Sequence, residues 1–169
     1  MPTPARKSSA RRPITAEDLY NLRIPLAVAL SPDETRVAYT VERMDQDDRT
    51  YYTNLYVCHI PTGETTQFTH GKTKDGAPVW SPDGTQIAFV STRDKKTGIY
   101  VMSAGGGAER KVIEIDGAIA QMQWTPDSEQ LLFALRYNDS HFVENQDEKK
   151  KPPVYRHITR LYSRLDGSG

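Results

Sequence analysis

A short phrase made of an apolar residue, Ser or Thr, Pro and Asp occurs three times in this chain. The copies are Leu30-Ser31-Pro32-Asp33, Trp80-Ser81-Pro82-Asp83 and Trp124-Thr125-Pro126-Asp127. Each copy lies between two short apolar runs, and the three aspartates are 50 and 44 residues apart. A period of this length is typical of repeat proteins whose repeating unit is a four-stranded sheet, or blade. The repeat therefore predicts the fold class before any single element is assigned.

The second repeat shows its strands most clearly. Runs rich in Val, Ile, Tyr and Phe, separated by turn residues, predict strands at 77–80, 86–91, 99–103 and 109–115. Pro82 presets φ for a tight turn, and Gly84 accepts the positive φ that follows. A polar hairpin at 92–98 and a glycine turn at 104–107 join the other strands. This repeat is therefore predicted to be a four-stranded antiparallel meander.

The other repeats follow the same plan. The first predicts strands at 26–30, 36–43, 54–60 and 64–69. The third predicts strands at 119–124 and 130–136, a polar insertion at 137–153, and a third strand at 157–165 with no fourth. The expected fold is all-β, an incomplete β-propeller of about two and three-quarter blades. Propellers close with about four to eight blades, so we expect this chain to be the front part of a longer polypeptide.

The expected domain organisation has three parts. A disordered basic tail covers 1–13, a short helix 14–24, and the partial propeller 25–169, with blades at about 25–70, 77–116 and 118–169. Thr15 is the predicted N-cap of the helix, Asp18 occupies the capping-box position, and Pro25 ends it. Leu19 and Leu22 share one helix face. One and a half turns are not stable alone, so we expect this face to pack on another element.

The composition is that of an ordinary globular protein without an unusual partner. The chain has 22 basic and 22 acidic residues, which gives no indication of nucleic acid or an anionic membrane as a partner. No apolar run is long enough to span a bilayer, and no h-region of a signal peptide follows the N-terminal arginines. The single cysteine, Cys58, excludes an internal disulfide framework. A cytoplasmic location is the expectation.

Aromatic and aliphatic residues at repeated positions are the predicted core. Large side chains that recur once in each repeat supply the apolar area that stacks neighbouring blades. The predicted core residues are Trp80, Trp124, Phe89, Phe133, Tyr39 and Ile87.

None of the residue types that often carry chemistry forms a convincing constellation. The four histidines lie on separate segments without metal-ligand spacing: His59, His70, His141 and His157. Cys58 lies mid-strand, where a residue of the sheet is favoured over a nucleophile. No catalytic, cofactor-binding or metal-binding residue is therefore assigned, and no cofactor is expected.

Two further segments look like ligand loops only at first sight. The acidic run 45–48 lacks the glycine and distal glutamate of an EF-hand and is predicted to be a solvated turn. The glycines 105–107 join two strands and open no helix, so they lack the amide-rich helix N-terminus of a phosphate loop.

The second repeat, from Trp80 to Ala104, resembles the TolB-like repeat. That repeat occurs in TolB and in the propellers of prolyl oligopeptidase-family serine peptidases. The segment 14–20, which leads directly into the first repeat, is similar to the start of acylaminoacyl-peptidase-like members. The insertion in the third repeat, ending in the strand 154–162 and the turn Leu165-Asp166-Gly167, is also similar to theirs.

The resemblance implies a serine peptidase whose chemistry lies elsewhere. In that family, a C-terminal α/β-hydrolase domain carries a Ser-Asp-His triad with its serine in a G-x-S-x-G elbow. This sequence contains no such motif, and Gly167-Ser168-Gly169 is the nearest combination. No catalytic residue is carried over. The implied partners are the hydrolase domain of the same polypeptide and short peptide substrates that the propeller would filter, with a homo-oligomer possible.

Other functions remain open. A TolB-like scaffold for protein–protein interaction is the main alternative, and a stand-alone sugar- or peptide-binding propeller is a weaker one. The absence of a signal peptide argues against the scaffold, since TolB works in the periplasm. The insertion 137–153 either borders a substrate cleft, contacts another subunit or is a surface loop.

Overall fold

A computed structural model of the chain describes residues 13–115, 117–136 and 163–164, the last two by their backbone alone. Within these residues there are one 3-10 helix and eleven strands. The helix spans Ala16–Asn21, and the strands are β1 (Ile24–Leu30), β2 (Arg36–Asp45), β3 (Thr50–His59), β4 (Glu64–Gln67), β5 (Lys74–Trp80), β6 (Gln86–Arg93), β7 (Lys96–Ser103), β8 (Arg110–Ile115), β9 (Ala118–Trp124), β10 (Gln130–Arg136) and β11 (Ser163–Arg164).

The strands form three successive antiparallel units, which we call the first, second and third blades. The first is the meander β1–β2–β3–β4, the second is β5–β6–β7–β8, and the third contains β9, β10 and β11. A parallel bridge between Thr53 and Lys74 joins β3 to β5, so the first two blades form one continuous sheet. The all-β prediction is confirmed.

The hairpin predicted at 92–98 is present, but its turn contains only two residues. Strand β6 continues to Arg93 and β7 begins at Lys96. Asp94 and Lys95 both have positive φ, 49° and 67°, as a type I′ turn requires. This turn matches the twist of the two strands. The backbone pairing of β6 with β7 therefore continues through Thr92–Thr97 and Arg93–Lys96, polar residues that in the sequence resemble a loop. Strand β3 likewise extends further into polar sequence than predicted, since it begins at Thr50 rather than 54.

The N-terminal helix is shorter than the predicted segment and has 3-10 geometry. Its start follows the prediction, since Asp18 Oδ2 accepts a hydrogen bond of 2.8 Å from the Thr15 N–H. Leu22 is already extended and β1 begins at Ile24, so the helix ends before Pro25 can terminate it. Leu19 and Leu22 remain 40% and 50% exposed. Within the described residues, no helix is long and apolar enough to cross a membrane.

Two apolar clusters lie on opposite faces of the second blade. Because side chains alternate along a strand, Ile87 and Phe89 pack toward the first blade while Ala88 packs toward the third. All three are fully buried. Leu55 belongs to the first cluster and Leu131 to the second. The second blade is thus the centre of the described core.

Each cluster contains a tryptophan whose indole reaches the preceding blade. Trp80 and Trp124 are only 8% and 4% exposed. Trp80 Nε1 donates a hydrogen bond of 3.0 Å to the carbonyl oxygen of Ala29, and Trp124 Nε1 donates one of 3.2 Å to that of Val79. The acceptor Ala29 directly precedes Leu30, and the acceptor Val79 directly precedes Trp80, so the two acceptors occupy equivalent positions in their repeats. The same contact therefore recurs at both junctions.

Tyr39 and Phe133 are only half-buried, which departs from the core prediction. Phe133 packs against the second cluster from its edge. Tyr39 occupies the position of Phe89 in the first blade, but no other blade is described on this face, and Tyr39 stacks on Tyr56 with ring centroids 5.9 Å apart. Leu30, at the tryptophan position, is 52% exposed for the same reason.

We expect Trp80→Ala to lower the free energy of unfolding by about 3–5 kcal/mol, because it removes a large buried side chain and its cross-blade hydrogen bond. Trp80→Phe keeps most of the apolar area and isolates the hydrogen bond, so about 1 kcal/mol should be lost. Urea unfolding followed by fluorescence of Trp124 measures both. Leu30→Ala, at the equivalent exposed position, is the matched control. Equal losses for Leu30→Ala and Trp80→Ala would contradict the assignment.

Candidate functional site

The repeated Ser-Pro-Asp phrase forms a compact turn held together by one carboxylate. Ser31 Oγ donates to Asp33 Oδ1 at 2.5 Å, and Thr35 Oγ1 donates to Asp33 Oδ2 at 2.8 Å. The Thr35 backbone N–H also donates to Asp33 Oδ1, at 3.1 Å. Ser31 Oγ in turn accepts from the Arg36 N–H at 2.9 Å. Both carboxylate oxygens are therefore engaged within a turn of six residues.

The other two copies repeat this geometry, as the sequence predicts. Asp83 accepts hydrogen bonds from the Ser81 hydroxyl at 2.5 Å and from the Thr85 hydroxyl at 2.9 Å. Asp127 accepts from the Thr125 hydroxyl and from the Glu129 N–H. The fourth turn residue has positive φ in all three copies. That residue is Gly84 in the second blade, and Glu34 and Ser128 in the first and third.

The turn hydrogen bonds stabilise the ionised form of each aspartate. The Ser31 hydroxyl, followed by the Thr35 hydroxyl and N–H, lowers the pKa of Asp33 to about 2. The pKa of Asp83 is lowered chiefly by the Ser81 hydroxyl, and that of Asp127 chiefly by the Thr125 hydroxyl. The folded state therefore binds fewer protons than the unfolded chain as the pH falls below about 4.

We expect stability to be retained above about pH 4 and to fall progressively toward pH 2, since each of these carboxylates must be protonated below its depressed pKa. Asp33→Asn should lower the urea midpoint at pH 7 and flatten its dependence between pH 4 and 2. Urea titrations at pH 7, 4, 3 and 2.5 measure this. Asp47→Asn is the control, since the Asp47 side chain accepts no hydrogen bond from the described residues. An unchanged slope for Asp33→Asn would contradict the assignment.

Arg36 extends from the first turn to the second blade. Its Nη1 donates to the carbonyl oxygen of Ala104 at 2.8 Å, and its Nη2 donates to that of Gly84 at 3.2 Å. The guanidinium carbon lies 4.8 Å from the centre of the Trp80 ring. A planar guanidinium is suited to both contacts at once, because it stacks on aromatic faces and presents several donors.

A second polar cluster, which we call the Asp75 cluster, lies at the same junction. Asp75 is only 3% exposed, and its carboxylate accepts three hydroxyl hydrogen bonds. Thr69 donates at 2.5 Å, Thr73 at 3.1 Å and Ser91 at 2.6 Å. Thr69 also accepts the Leu55 N–H at 2.7 Å, which connects the cluster to β3. The carboxylate thus joins the linker to the second blade, and Thr69 extends the connection to the first.

We expect Asp75→Ala to lower the free energy of unfolding by about 3 kcal/mol, because three buried hydroxyl groups lose their shared acceptor. Asp75→Asn should cost less, since an amide both accepts and donates hydrogen bonds. Chemical unfolding of the two variants beside the parent chain measures the difference. A loss for Asn as large as that for Ala would show that the negative charge, rather than the hydrogen bonds, is what the cluster requires.

Arg93 connects the Asp75 cluster to a surface groove. Its Nε donates to Ser91 Oγ at 3.0 Å, its Nη1 lies 2.8 Å from Glu109 Oε1, and its guanidinium lies 4.1 Å from the centre of the Tyr100 ring. Burial acts to raise the pKa of Glu109, but the hydrogen bond from Arg93 and lesser contributions together bring that pKa below its ordinary value. Glu109 is therefore ionised at neutral pH.

The groove lies between β4 and the turn that joins β7 to β8. Its volume is about 480 Å³, and its lining residues are Thr66, Gln67, Phe68, His70, Gly105, Gly106, Gly107 and Glu109. The groove offers backbone, hydroxyl, amide, imidazole and carboxylate groups. It thus provides hydrogen-bonding groups but no nucleophile paired with a base. Among the described residues, no serine or cysteine is hydrogen-bonded to a histidine, and no three His, Cys, Asp or Glu side chains converge as metal ligands.

The histidines and the cysteine considered from the sequence lie on separate segments where the structure describes them. His59 is near the end of β3, with Nδ1 2.9 Å from Thr62 Oγ1, while His70 borders the groove. His141 and His157 lie outside the described residues. Cys58 is half-buried within β3, as a residue of the sheet. The structure therefore does not bring His59, His70 and Cys58, the described members of this set, together.

The acidic turn is less solvated than predicted. Lys72 Nζ lies 2.6 Å from Asp48 Oδ2 and 3.5 Å from Asp45 Oδ1, and the Tyr52 hydroxyl donates to Asp48 at 2.7 Å. The hydrogen bond from Lys72, followed by that from Tyr52, lowers the pKa of Asp48. These carboxylates therefore attach the turn to the linker that leads into the second blade.

Sequence reasoning did not identify Asp75, Arg36 or the indole hydrogen bonds. Asp75 precedes a glycine and follows a lysine, which indicates a loop rather than a buried strand. Its hydroxyl partners are 6, 2 and 16 residues away. Arg36 offers a weak signal, since it alone places a cation three residues after the turn aspartate. The other two repeats carry Gln86 and Gln130 there.

Comparison with known proteins agrees with this geometry. The family model described as PD40, TolB beta propeller domain, matches residues 9–159. The uncharacterized peptidase YuxL of Bacillus subtilis (strain 168) is 30% identical over 160 residues, which are 92% of this chain and 24% of that protein. The Tol-Pal system protein TolB of Methylococcus capsulatus is 35% identical over 83 residues, 49% of this chain and 19% of TolB.

A solved structure extends the likeness to the fold. The uncomplexed acylaminoacyl peptidase of Pyrococcus horikoshii superposes with a TM-score of 0.62 at 20% identity, over 81% of this chain and 20% of that one. The chain thus spans about a quarter or less of the length of these relatives. The repeated turns, the indole contacts and the family match agree on the fold, and the chain belongs to the TolB β-propeller domain family.

Proposed function

We propose that this chain is the non-catalytic propeller part of a serine peptidase that cleaves oligopeptides. In this role it controls access of substrates to an α/β-hydrolase domain of the same polypeptide. The observation that carries the proposal is the extended match to peptidases. The similarity to YuxL covers 92% of this chain, whereas the similarity to the M. capsulatus TolB covers 49%.

The length of the relatives supports a second domain. About three quarters of YuxL and four fifths of the P. horikoshii peptidase lie outside the matched region. Room for a catalytic domain therefore exists in such polypeptides. The described residues here provide hydrogen-bonded sheet, one buried aspartate and stacked aromatics, and no serine or cysteine among them is hydrogen-bonded to a histidine.

The chemistry of the described surface fits a filter better than a catalyst. A rigid wall of hydrogen-bonded strands excludes folded proteins by size, while short or unfolded peptides pass. In the complete enzyme the cytoplasm is the expected location, and short peptides are the expected substrates.

A TolB-like scaffold that binds protein partners is the second candidate. The similarity to TolB over 83 residues supports it, because the same repeat occurs in TolB as well as in the peptidases. The two candidates differ in whether the complete polypeptide hydrolyses peptides.

We expect the 169-residue chain alone to hydrolyse no acyl-peptide or aminoacyl chromogenic substrate, because its sequence has no G-x-S-x-G elbow and no described serine or cysteine is hydrogen-bonded to a histidine. The complete polypeptide should cleave short chromogenic peptides and an unstructured peptide, but not a folded protein that contains the same sequence. Initial rates for the three substrates, with chain and polypeptide purified in parallel, measure this. Turnover by the chain alone that persists through further purification would overturn the non-catalytic role. Absence of turnover by the complete polypeptide would favour the scaffold.

A further inference from the structure

We infer that the junction between the second and third blades is the seam at which this structure opens, with the first and second blades moving as one body. The inference rests on a comparison of equivalent residues at the two junctions. We call the contact between the second and third blades the 2–3 seam.

The arginine contact of the first junction has no counterpart among the described residues of the 2–3 seam. Arg36 lies three residues after Asp33 and binds two carbonyl oxygens and an indole of the next blade. Gln86 lies three residues after Asp83, in the same place one blade later. Its side chain donates no hydrogen bond to any part of the third blade that the structure describes. The indole that Arg36 would meet there, Trp124, is nevertheless present and buried.

The backbone connection also differs between the junctions. Thr53 of β3 donates its N–H to the Thr73 carbonyl at 2.9 Å and pairs with Lys74 of β5. The first two blades therefore share one sheet. The strands described for the third blade form a separate sheet.

The Asp75 cluster adds buried hydrogen bonds to the first junction alone. Its residues come from the linker, from β5 and from β6. At the 2–3 seam, the described cross-blade hydrogen bonds are those from Trp124 Nε1 to Val79, at 3.2 Å, and from the Asp83 N–H to Ser128 Oγ, at 3.1 Å. The apolar cluster around Leu131 closes the seam, and these two hydrogen bonds are the directional contacts between its described residues.

Opening of the 2–3 seam would change how peptide substrates enter the propeller, and this part of the inference rests on the proposed function. If the propeller filters peptides, separation of two blades gives an extended peptide a lateral entrance in addition to the central opening. Substrate length would then depend on how firmly the 2–3 seam is held.

Hydrogen–deuterium exchange of the 169-residue chain tests the seam directly. We expect the amides of β9 and β10 to exchange faster than those of β5, β6 and β7. Gln86→Arg transfers the missing arginine toward Trp124 and the carbonyl of residue 128, and it should slow exchange in β9 and β10 by about fivefold, the effect of one added hydrogen bond. Strands β1–β4 should be unaffected. Equal slowing in all strands, or none, would overturn the inference.

A second pair of variants tests the seam without adding a contact. Ser128→Gly removes the hydroxyl that accepts the Asp83 N–H, and exchange in β9 and β10 should rise by about fivefold. Glu34→Gly makes the same backbone change in the first turn and should leave those strands unchanged. A rise of equal size for both variants would show a general effect of glycine and would count against the seam.

In the complete polypeptide, Gln86→Arg should slow cleavage of a ten-residue peptide at least twofold more than cleavage of a single-residue chromogenic substrate. If the parent enzyme hydrolyses neither, the proposed function fails while the exchange result still decides the seam. If exchange slows but both substrates are affected equally, the seam exists and the lateral entrance is wrong.

Discussion

The buried indole hydrogen bond is the contact on which the arrangement of the blades depends. An indole buries a large apolar area, and its single N–H must find an acceptor once water is excluded. Trp80 and Trp124 meet both needs with one carbonyl each in the preceding blade. A purely apolar side chain would hold two blades together over a range of rotations. The indole N–H also selects where along the neighbouring strand the blades meet.

The turn that follows each tryptophan makes this contact reproducible. Ser81 comes directly after Trp80, and its hydroxyl links Asp83 to the start of β6. The carboxylate therefore fixes the strand that carries the indole relative to the strand beside it. Since the same turn occurs in the third blade, Trp124 is presented in the same way. Local turn chemistry and packing between blades are thus two parts of one repeated unit.

The sequence predicts the part of this structure that repeats and misses the part that occurs once. The three aspartate turns were predictable because residue types with known turn preferences recur in the same order. The two-residue turn at Asp94 and Lys95 was not, because lysine is not a residue that usually signals positive φ. Asp75 was missed because its Lys-Asp-Gly sequence indicates a loop, and only the pairing of β5 with β6 brings Ser91 to its carboxylate. The groove beside Glu109 was missed for the same reason, since its two walls belong to different blades.

Because Leu30 occupies the tryptophan position of the first blade, the indole contacts make the series of blades asymmetric. Each described tryptophan donates toward the N-terminal neighbour, whereas the first blade has a leucine where the donor would be. The blades are therefore not interchangeable modules, despite their similar strands. A permuted chain that placed the first blade after the second would present a leucine to the Val79 carbonyl, and the indole hydrogen bond at that junction would be lost. The order of the repeats along the gene is thus constrained by a donor that only some of them possess.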